Sequence, residues 1–204
     1  CGGGHDARRD DLGHRTRCVN DIGSIANWPD KLESLVEQIG PPLRLCRVIA
    51  ECASTQDQAR PLGLGAVVLA GRQTAGRGQR GNEWADTGDG GLAFSVVLPA
   101  TTLPERSRDI ADAIAVGLGQ WIPRRLRVKA PNDVCLDGRK LAGVLIEQAD
   151  GVAVIGVGIN VGQTHFEGEL TETAISLHQA GISRDRMEVL ERVLPGIVAA
   201  WDAG

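Results

Sequence analysis

"VKAPNDVCLDGRKLAGVLIE", residues 128–147, contains the turn that decides the fold. Asp137 and Gly138 separate two apolar runs, and an Asp-Gly pair is typical of the type I′ turn of a β-hairpin, because both central residues need a positive φ. The flanking segments, DVCL and KLAGVLIE, are therefore predicted to pair as antiparallel strands. Five further strands are predicted where short apolar runs lie between turn residues, at 43–50, 65–71, 92–99, 125–131 and 152–161.

Helical patterns are fewer than strand patterns. The sequence predicts a helix over 29–40, where apolar residues recur at helical spacing before a glycine. Three more helices are predicted: one after Ser54 and Thr55, one over 104–122, and one over 183–201 with Ser183 as its N-cap. This order of elements predicts an α+β fold, with a mixed, mostly antiparallel sheet and helices packed to one side.

The length of 204 residues favours one large domain. Residues 1–30 open with a glycine-rich, charged and aperiodic segment, so we expect a mobile tail there and a folded domain over 31–204. Residues 1–42 precede the first predicted strand and are too few to add a winged-helix DNA-binding domain. We therefore expect no DNA-binding domain at the amino-terminal end.

Composition argues against several classes of function. The formal net charge is −4 and the basic residues are spread along the chain, which argues against a general nucleic-acid or membrane-surface binder. No run approaches the roughly 18 apolar residues of a membrane span, and no signal-peptide pattern is present, so we expect a cytoplasmic protein. The cysteines are odd in number and form no CxxC pair, so we expect reduced thiols and no metal site of protein ligands.

Residues 73–91, QTAGRGQRGNEWADTGDGG, hold three glycines in GxGxxG spacing. A dinucleotide-binding loop would need a helix after the last glycine, and a Walker loop would need GK[ST]; neither pattern follows. A glycine-rich loop between strands remains, carrying Arg77 and Arg80. Such a loop can wrap an anion with backbone N–H groups and guanidinium donors, or it can be a solvated hairpin tip.

The motifs ST, GRGxRG, K-x-PND, RKLAG and GxGIN follow one another in this order. In this respect the sequence resembles the catalytic domain of biotin protein ligases, within the class II synthetase-like biotin and lipoate ligase fold. The resemblance runs from about Leu43 to the last helix. It implies that the domain over 31–204 activates biotin with ATP and Mg²⁺ to biotinyl-5′-AMP, then transfers biotin to a lysine of a biotin carboxyl carrier domain. A lipoate or octanoate ligase or transferase, and a silent acid-binding relative, are the alternatives.

The resemblance also implies roles for individual residues. Lys140 is expected to contact the carboxylate of the acid and the α-phosphate, with Arg77 and Arg80 as the other catalytic cations. Trp84 is expected to shield biotin and the adenylate. The residues expected to bind substrate or nucleotide are Ser54, Thr55, Gln56, Gln73, Gly76, Gly78, Gln79, Trp84, Asn132, Asp133, Gly143 and Asn160.

Some of these residues have alternative roles. Asp133 could orient Lys140 or a hydrated Mg²⁺. Asn132 and Asp133 could instead both be turn residues after Pro131. Ser54 and Thr55 suit a substrate pocket and also suit the cap of a helix.

The sequence also departs from the family pattern. Gln79 stands where many members have arginine, which implies weaker retention of the acyl-adenylate. Ala130 stands where the family has tryptophan, and we expect this change to remove an aromatic wall from the pocket. The sequence ends shortly after the last predicted helix, so we expect the small carboxy-terminal β-barrel domain of many members to be absent. An exposed sheet edge or face could support a homodimer.

Overall fold

The computed structural model describes residues 25–85, 90–103, 106–122 and 125–203. Over these residues the chain forms nine strands: β1 (Leu45–Cys52), β2 (Ala66–Gln73), β3 (Gly76–Arg77), β4 (Glu83–Trp84), β5 (Gly91–Pro99), β6 (Leu126–Lys129), β7 (Asp133–Leu136), β8 (Arg139–Ala149) and β9 (Val152–Asn160). The same residues contain five α-helices: α1 (Trp28–Ile39), α2 (Thr55–Ala59), α3 (Arg106–Leu118), α4 (Leu170–Thr173) and α5 (Arg186–Asp202). All seven predicted strands and all four predicted helices are present, whereas β3, β4 and α4 were not predicted.

Seven strands form one sheet in the order β1-β2-β5-β9-β8-β7-β6. Only β1 and β2 are parallel; every other neighbouring pair in this sheet is antiparallel. The predicted mixed, mostly antiparallel sheet is therefore confirmed. The remaining two strands, β3 and β4, pair with each other as a separate two-stranded ribbon.

Two tight turns connect β7, β8 and β9. Asp137 and Gly138 have φ values of 50° and 82°, which confirms the predicted type I′ geometry between β7 and β8. Asp150 and Gly151 repeat it between β8 and β9, with φ values of 53° and 77°. Lys140 follows the first turn directly, so a rigid hairpin fixes the position of its backbone.

The sheet has two unlike faces, because successive side chains of a strand point in opposite directions. On β5, Phe94 and Val96 belong to the main core, which α1, α3 and α5 cover. Val97 points the other way and packs in a small cluster with Ala59 of α2. The prediction of helices on one side holds for α1, α3 and α5, whereas α2 lies on the opposite face. Much of that opposite face is left uncovered by the long helices.

The folded region begins earlier than expected. Ile25–Asn27 form a short 3-10 turn, α1 begins at Trp28, and the Trp28 side chain is fully buried. The tail expected over 1–30 is therefore wrong for its last six residues, because burial of the indole holds this segment against the core. The rest of that expectation, residues 1–24, lies outside the described residues.

The N-cap of α5 also differs from the prediction. Asp185, not Ser183, caps the helix: its carboxylate accepts a hydrogen bond from the Met187 amide at 2.7 Å. The Glu188 side chain in turn accepts from the Asp185 amide at 3.2 Å. This reciprocal capping box satisfies two amide groups that a helix start otherwise leaves without partners.

No helix among the described residues is long and apolar enough to cross a membrane. Within the same residues, Cys46, Cys52 and Cys135 form no disulfide. Burial raises the pKa of the Cys135 thiol, and the nearby Asp133 carboxylate raises it further. This thiol is therefore neutral near pH 7.

Candidate active site

Small residues line the uncovered face at the centre of the sheet. Gly143 on β8 lies opposite Gly158 on β9, and Gly156 on β9 lies opposite the fully buried Ser95 on β5. Gly143, Gly156 and Gly158, which we call the glycine floor, have no side chains to fill the space above them. Other groups approach closely there: a Cβ at Gly156 would lie only 2.9 Å from Cδ of Gln56.

An inner cavity lies above the glycine floor. Residues from α2, the end of β2, the β3–β4 ribbon, β8 and β9 surround it. The structure therefore brings together most of the expected residues from five separate segments of the chain. They are Ser54, Thr55, Gln56, Gln73, Arg77, Gly78, Gln79, Trp84, Asn132, Lys140 and Gly143.

Thr55 organises the polar side of the inner cavity. Its backbone amide and its hydroxyl both donate to Oε1 of Gln73, at 2.8 and 3.1 Å. The same hydroxyl lies 2.8 Å from the Ser95 hydroxyl. Ser54 occupies the N-cap position of α2 without a side-chain capping bond. Both residues line the cavity, so the structure favours the pocket role over capping.

Gln56 and Asn132 are buried and attach to the sheet through their side-chain amides. Nε2 of Gln56 donates to the carbonyl oxygens of Leu145 and Val154, each at 3.2 Å. Nδ2 of Asn132 donates to the carbonyl oxygen of Val144 at 2.8 Å. These bonds fix the cavity wall to β8 and β9.

The glycine-rich loop folds as a short hairpin over the cavity, residues 76–84, which we call the glycine ribbon. Two residue pairs form its ladder: Gly76 faces Trp84, and Arg77 faces Glu83. A Cβ at Gly76 would lie 2.7 Å from the Trp84 carbonyl oxygen, so only glycine fits there. The Gly78 amide, which we expected to bind an anion, instead donates to the Asn82 carbonyl at 2.7 Å.

Carboxylates from two elements hold Arg77 of the ribbon. Its guanidinium donates two hydrogen bonds of 2.8 Å to the two oxygens of Asp57 on α2. A third, of 3.3 Å, reaches Oε2 of Glu147 near the end of β8. The hydrogen bonds to Asp57 raise the pKa of the Arg77 guanidinium and lower the pKa of the Asp57 carboxyl. Arg77 lines the cavity, but these carboxylates already balance its charge.

Lys140 lies at the junction of the ribbon and the sheet. Its Nζ is 2.7 Å from Oδ1 of Asp133 and 5.5 Å from the centre of a Trp84 ring. Oδ1 of Asp133 is buried, and no donor among the described residues reaches it with the geometry of a hydrogen bond. Its contact with Lys140 is therefore an ion pair. Of the two roles considered for Asp133, the structure favours orientation of Lys140 over a turn role. Trp84 lies directly on Gly158, where an added Cβ would overlap the indole.

An outer cavity begins on the other side of Lys140 and Trp84. Asp133, Asn160 and Lys129 also line it. Nδ2 of Asn160 donates to the Lys140 carbonyl at 3.2 Å, and its Oδ1 accepts from Gln163 at 3.1 Å. Asn160 thus braces the backbone of Lys140. Lys140 and Trp84 form a wall common to both cavities.

A known protein family matches the segment of the chain that contains the inner cavity. The model of the biotin/lipoate A/B protein ligase family matches residues 49–163, more than half of the chain. The chain belongs to this family. The resemblance drawn from the motifs is confirmed, and the matched residues include the lining of the inner cavity, from Ser54 to Gly158.

Relatives within the biotin/lipoate ligase family differ in length from this chain. The bifunctional ligase/repressor BirA of Bacillus subtilis is 34% identical over 142 residues, which cover 64% of this chain and 44% of the relative. The biotin--[acetyl-CoA-carboxylase] ligase of Paracoccus denitrificans is 33% identical over 175 residues, which cover 76% of this chain and 72% of the relative. The chain thus spans less than half the length of the Bacillus protein.

A solved structure of the family shares the fold. The biotin protein ligase from Aquifex aeolicus in complex with biotin and ATP superposes with a TM-score of 0.72 at 30% identity, covering 78% of this chain and 71% of that chain. The class II synthetase-like fold expected from the sequence is confirmed.

Some expected site residues lie outside the inner cavity of this ligase-family chain. Arg80 is exposed at the ribbon tip with a φ of 60°, and it lines an outer groove together with Gly76. Ala130 is also exposed, and it lines a separate surface depression beside Pro131 and Ile146. Ala130 does not line the inner cavity, and the loss of an aromatic wall at this position stays a prediction.

Three contributors to the site were missed from the sequence. Ser95 bonds Thr55 from a strand that looked purely apolar, and Asp57 and Glu147 hold Arg77. Asp57 follows the ST motif by two residues, and Glu147 ends the run after RKLAG. Their positions at the edges of motifs were the only sign in the sequence that these two residues belong to the site. Their meeting point was not predictable, because they lie 90 residues apart in the chain.

Proposed function

We propose that this chain activates biotin with ATP to biotinyl-5′-AMP and pyrophosphate, and then transfers biotin to a lysine amine of a carrier domain. The observation that carries the proposal is the position of Lys140 between two adjoining cavities, one suited to an acid and one to a nucleotide. The names of the relatives support it: one is a biotin--[acetyl-CoA-carboxylase] ligase, and one structure holds biotin and ATP. The carrier would be the biotin carboxyl carrier domain of a carboxylase.

The inner cavity would take biotin. It combines an apolar indole and a glycine floor with the hydroxyls and amides of Ser54, Thr55 and Gln73. A few positioned polar groups on an otherwise close-fitting wall are typical of small-molecule sites. The ring system would lie toward Thr55, and the carboxylate toward Lys140.

The outer cavity would take the nucleotide, with its α-phosphate beside Lys140. Asp133, which lines this cavity together with Glu83 and Glu172, is the carboxylate beside Lys140 that could share a hydrated Mg²⁺ with the phosphates, since magnesium is often held by one or two carboxylates and substrate oxygens. The described residues contain no group of three or more candidate metal ligands. A bound Mg²⁺ would neutralise phosphate charge, and most of its ligands would come from ATP and water.

The first step brings two anions together, which is its main electrostatic obstacle. A carboxylate oxygen of biotin attacks the α-phosphorus, an O–P bond forms, and the bond from that phosphorus to the β-phosphate oxygen breaks. Pyrophosphate leaves with the bonding electron pair. The ammonium group of Lys140 would reduce the repulsion and hold both groups in line, which are the established sources of rate enhancement in phosphoryl chemistry.

In the second step a carrier lysine amine attacks the acyl carbon of the mixed anhydride. A C–N bond forms, the C–O bond to AMP breaks, and a proton leaves the nitrogen. The chain's contribution would be to keep the anhydride away from water until the amine arrives. Trp84 and the glycine ribbon, which lie over the inner cavity, are suited to that role.

Pyrophosphate exchange into ATP tests the first step. We expect exchange to require biotin, with lipoate and octanoate tested in parallel, and we expect Lys140→Ala to lower it by about 10²- to 10³-fold, as for other deletions of charge-stabilising groups. Lys31→Ala, at an exposed position on α1, is the control and should exchange normally. If pyrophosphate exchange depends on lipoate or octanoate instead of biotin, that acid would replace biotin as the proposed substrate. Normal exchange in Lys140→Ala would refute the role of Lys140.

A further inference from the structure

The glycine ribbon is attached to the body of the protein at three places. At its root, the Thr74 and Ala75 amides donate to the carbonyl oxygens of Cys52 and Ala53, both at 2.9 Å. These bonds continue the edge of the sheet and hold the two residues that precede the ribbon. At the other end of the ribbon, Trp84 packs on Gly158 beside Lys140. The charged attachment to carboxylates is made by Arg77.

The Arg77 attachment joins three elements. It links the ribbon to Asp57 on α2 by a bidentate pair and to Glu147 on β8 by a single bond. Arg60, after α2, lies 3.5 Å from the same oxygen of Glu147. Two cations and two carboxylates thus form a continuous chain of ion pairs on the rim of the inner cavity. Bidentate arginine–carboxylate contacts hold orientation as well as distance.

The ribbon has little internal structure of its own to keep it in place. Its ladder contains two residue pairs, and its tip includes Arg80 in the left-handed region. A two-stranded hairpin by itself is marginally stable in water. Its closed position therefore depends on contacts with the body, and Arg77 supplies the charged ones.

We infer that Asp57 and Glu147 are positioning residues: through Arg77 they hold the glycine ribbon closed over the inner cavity. Arg77 acts as the latch, and the cation at the reacting atoms is left to Lys140. The functional part of this inference rests on the proposed function: a closed ribbon slows the escape of the acyl-adenylate before a carrier arrives. Loosening the latch should therefore release the adenylate faster while leaving its formation largely intact.

Limited trypsin digestion tests the latch without any substrate. Trypsin cleaves after Arg80, at the exposed tip, and mass spectrometry follows that single cut. The latch residues are half exposed, with side-chain exposures of 39% for Arg77, 52% for Asp57 and 34% for Glu147. Solvent screening makes each contact modest, so we expect Asp57→Asn combined with Glu147→Gln to speed cleavage about three- to tenfold.

Two variants make this test specific. Asp137→Asn breaks a similar exposed arginine–aspartate contact with Arg125 elsewhere on the surface, and its cleavage after Arg80 should equal that of the wild type. Asp57→Glu keeps a carboxylate and should stay within about twofold of the wild type. Unchanged cleavage in the double variant would overturn the latch, and so would equal acceleration in Asp57→Asn and Asp57→Glu.

The functional consequence is measured separately. Wild-type protein and the double variant are each given biotin and labelled ATP, and free biotinyl-adenylate in solution is timed after a single turnover. We expect the double variant to release biotinyl-adenylate about three- to tenfold faster than the wild type. Its rate of pyrophosphate exchange should stay within about twofold of the wild-type rate. Equal release would overturn the retention role. A wild type without any exchange would refute the proposed function, whereas the trypsin result would still decide the latch.

Discussion

Gly158→Ala tests whether the indole of Trp84 forms the roof of the substrate pocket. The added Cβ would lie 2.5 Å from Cζ2 and 2.8 Å from Cδ2 of Trp84, with Cε2 closer still. Carbon atoms attract at about 3.5 to 4 Å, so the ring must withdraw by about 1 Å. Gly158 has no left-handed φ and pairs regularly with β5 and β8, so alanine fits the backbone itself.

The cost should fall on binding and not on folding. Complete removal of a buried aromatic ring costs about 3 to 5 kcal/mol, and a shift of this size loses roughly a quarter to a half of its contact energy. We therefore expect biotin binding to weaken by about 1 to 2 kcal/mol, a five- to thirtyfold rise in Kd. The free energy of unfolding should change by less than about 1 kcal/mol, because the displaced ring belongs to the ribbon and not to the core.

Calorimetric titration with biotin and urea denaturation measure the two effects. Gly196→Ala on α5 is the control, because its added methyl meets neighbours no closer than 3.7 Å. That variant should bind biotin as the wild type does. A Kd for Gly158→Ala within twofold of the wild type would refute the reasoning, since the ring would then not cover the glycine floor in the binding state.

Three further substitutions test the supporting contacts. Thr55→Val removes the hydroxyl that orients Gln73, and we expect about a tenfold rise in the Kd for biotin, measured by calorimetric titration. Asp133→Asn removes the carboxylate that positions Lys140, and exchange kinetics should show kcat falling about tenfold with a smaller change in KM. Asp185→Ala removes the capping box of α5, and urea denaturation should show a loss of about 1 kcal/mol with normal exchange.

Each of these three predictions can be contradicted by a different result. Unchanged biotin affinity in Thr55→Val would mean that Gln73 holds its position without the hydroxyl. A rise in KM alone for Asp133→Asn would make the carboxylate a binding group and not a positioning group. Reduced exchange in Asp185→Ala would show that the start of α5 affects the site and not only stability.

The strands of the sheet were predictable because their signals are local. Asp137 and Gly138 determine a turn by their own backbone preferences, and the apolar runs on either side report burial directly. Gly143 was predictable as a point of close approach for a similar reason, because a glycine inside a strand often marks a place where a ligand or another chain segment comes near. These features depend on residues within a few positions of each other.

The electrostatics of the site were not predictable, because they depend on contacts between distant residues. Arg77 was expected to face a ligand, but Asp57 and Glu147 reach it from 20 and 70 residues away. The same limit applies to Ala130: the motif gives its neighbours in the chain, whereas the fold turns it outward. A motif thus predicts which residues gather at a site better than it predicts which way each one points.

The two faces of the sheet have different roles: one contributes to stability, and the other forms the candidate active site. The face under α1, α3 and α5 contains the large apolar side chains, whereas the other face presents Gly143, Gly156 and Gly158 to the inner cavity. Selection for a different acid can therefore work on the bare face and the ribbon while the hydrophobic core stays as it is. Such a scaffold can change specificity by small steps without approaching the threshold of unfolding. For protein engineers, the ribbon and the residues around the glycine floor are accordingly the positions to randomise first.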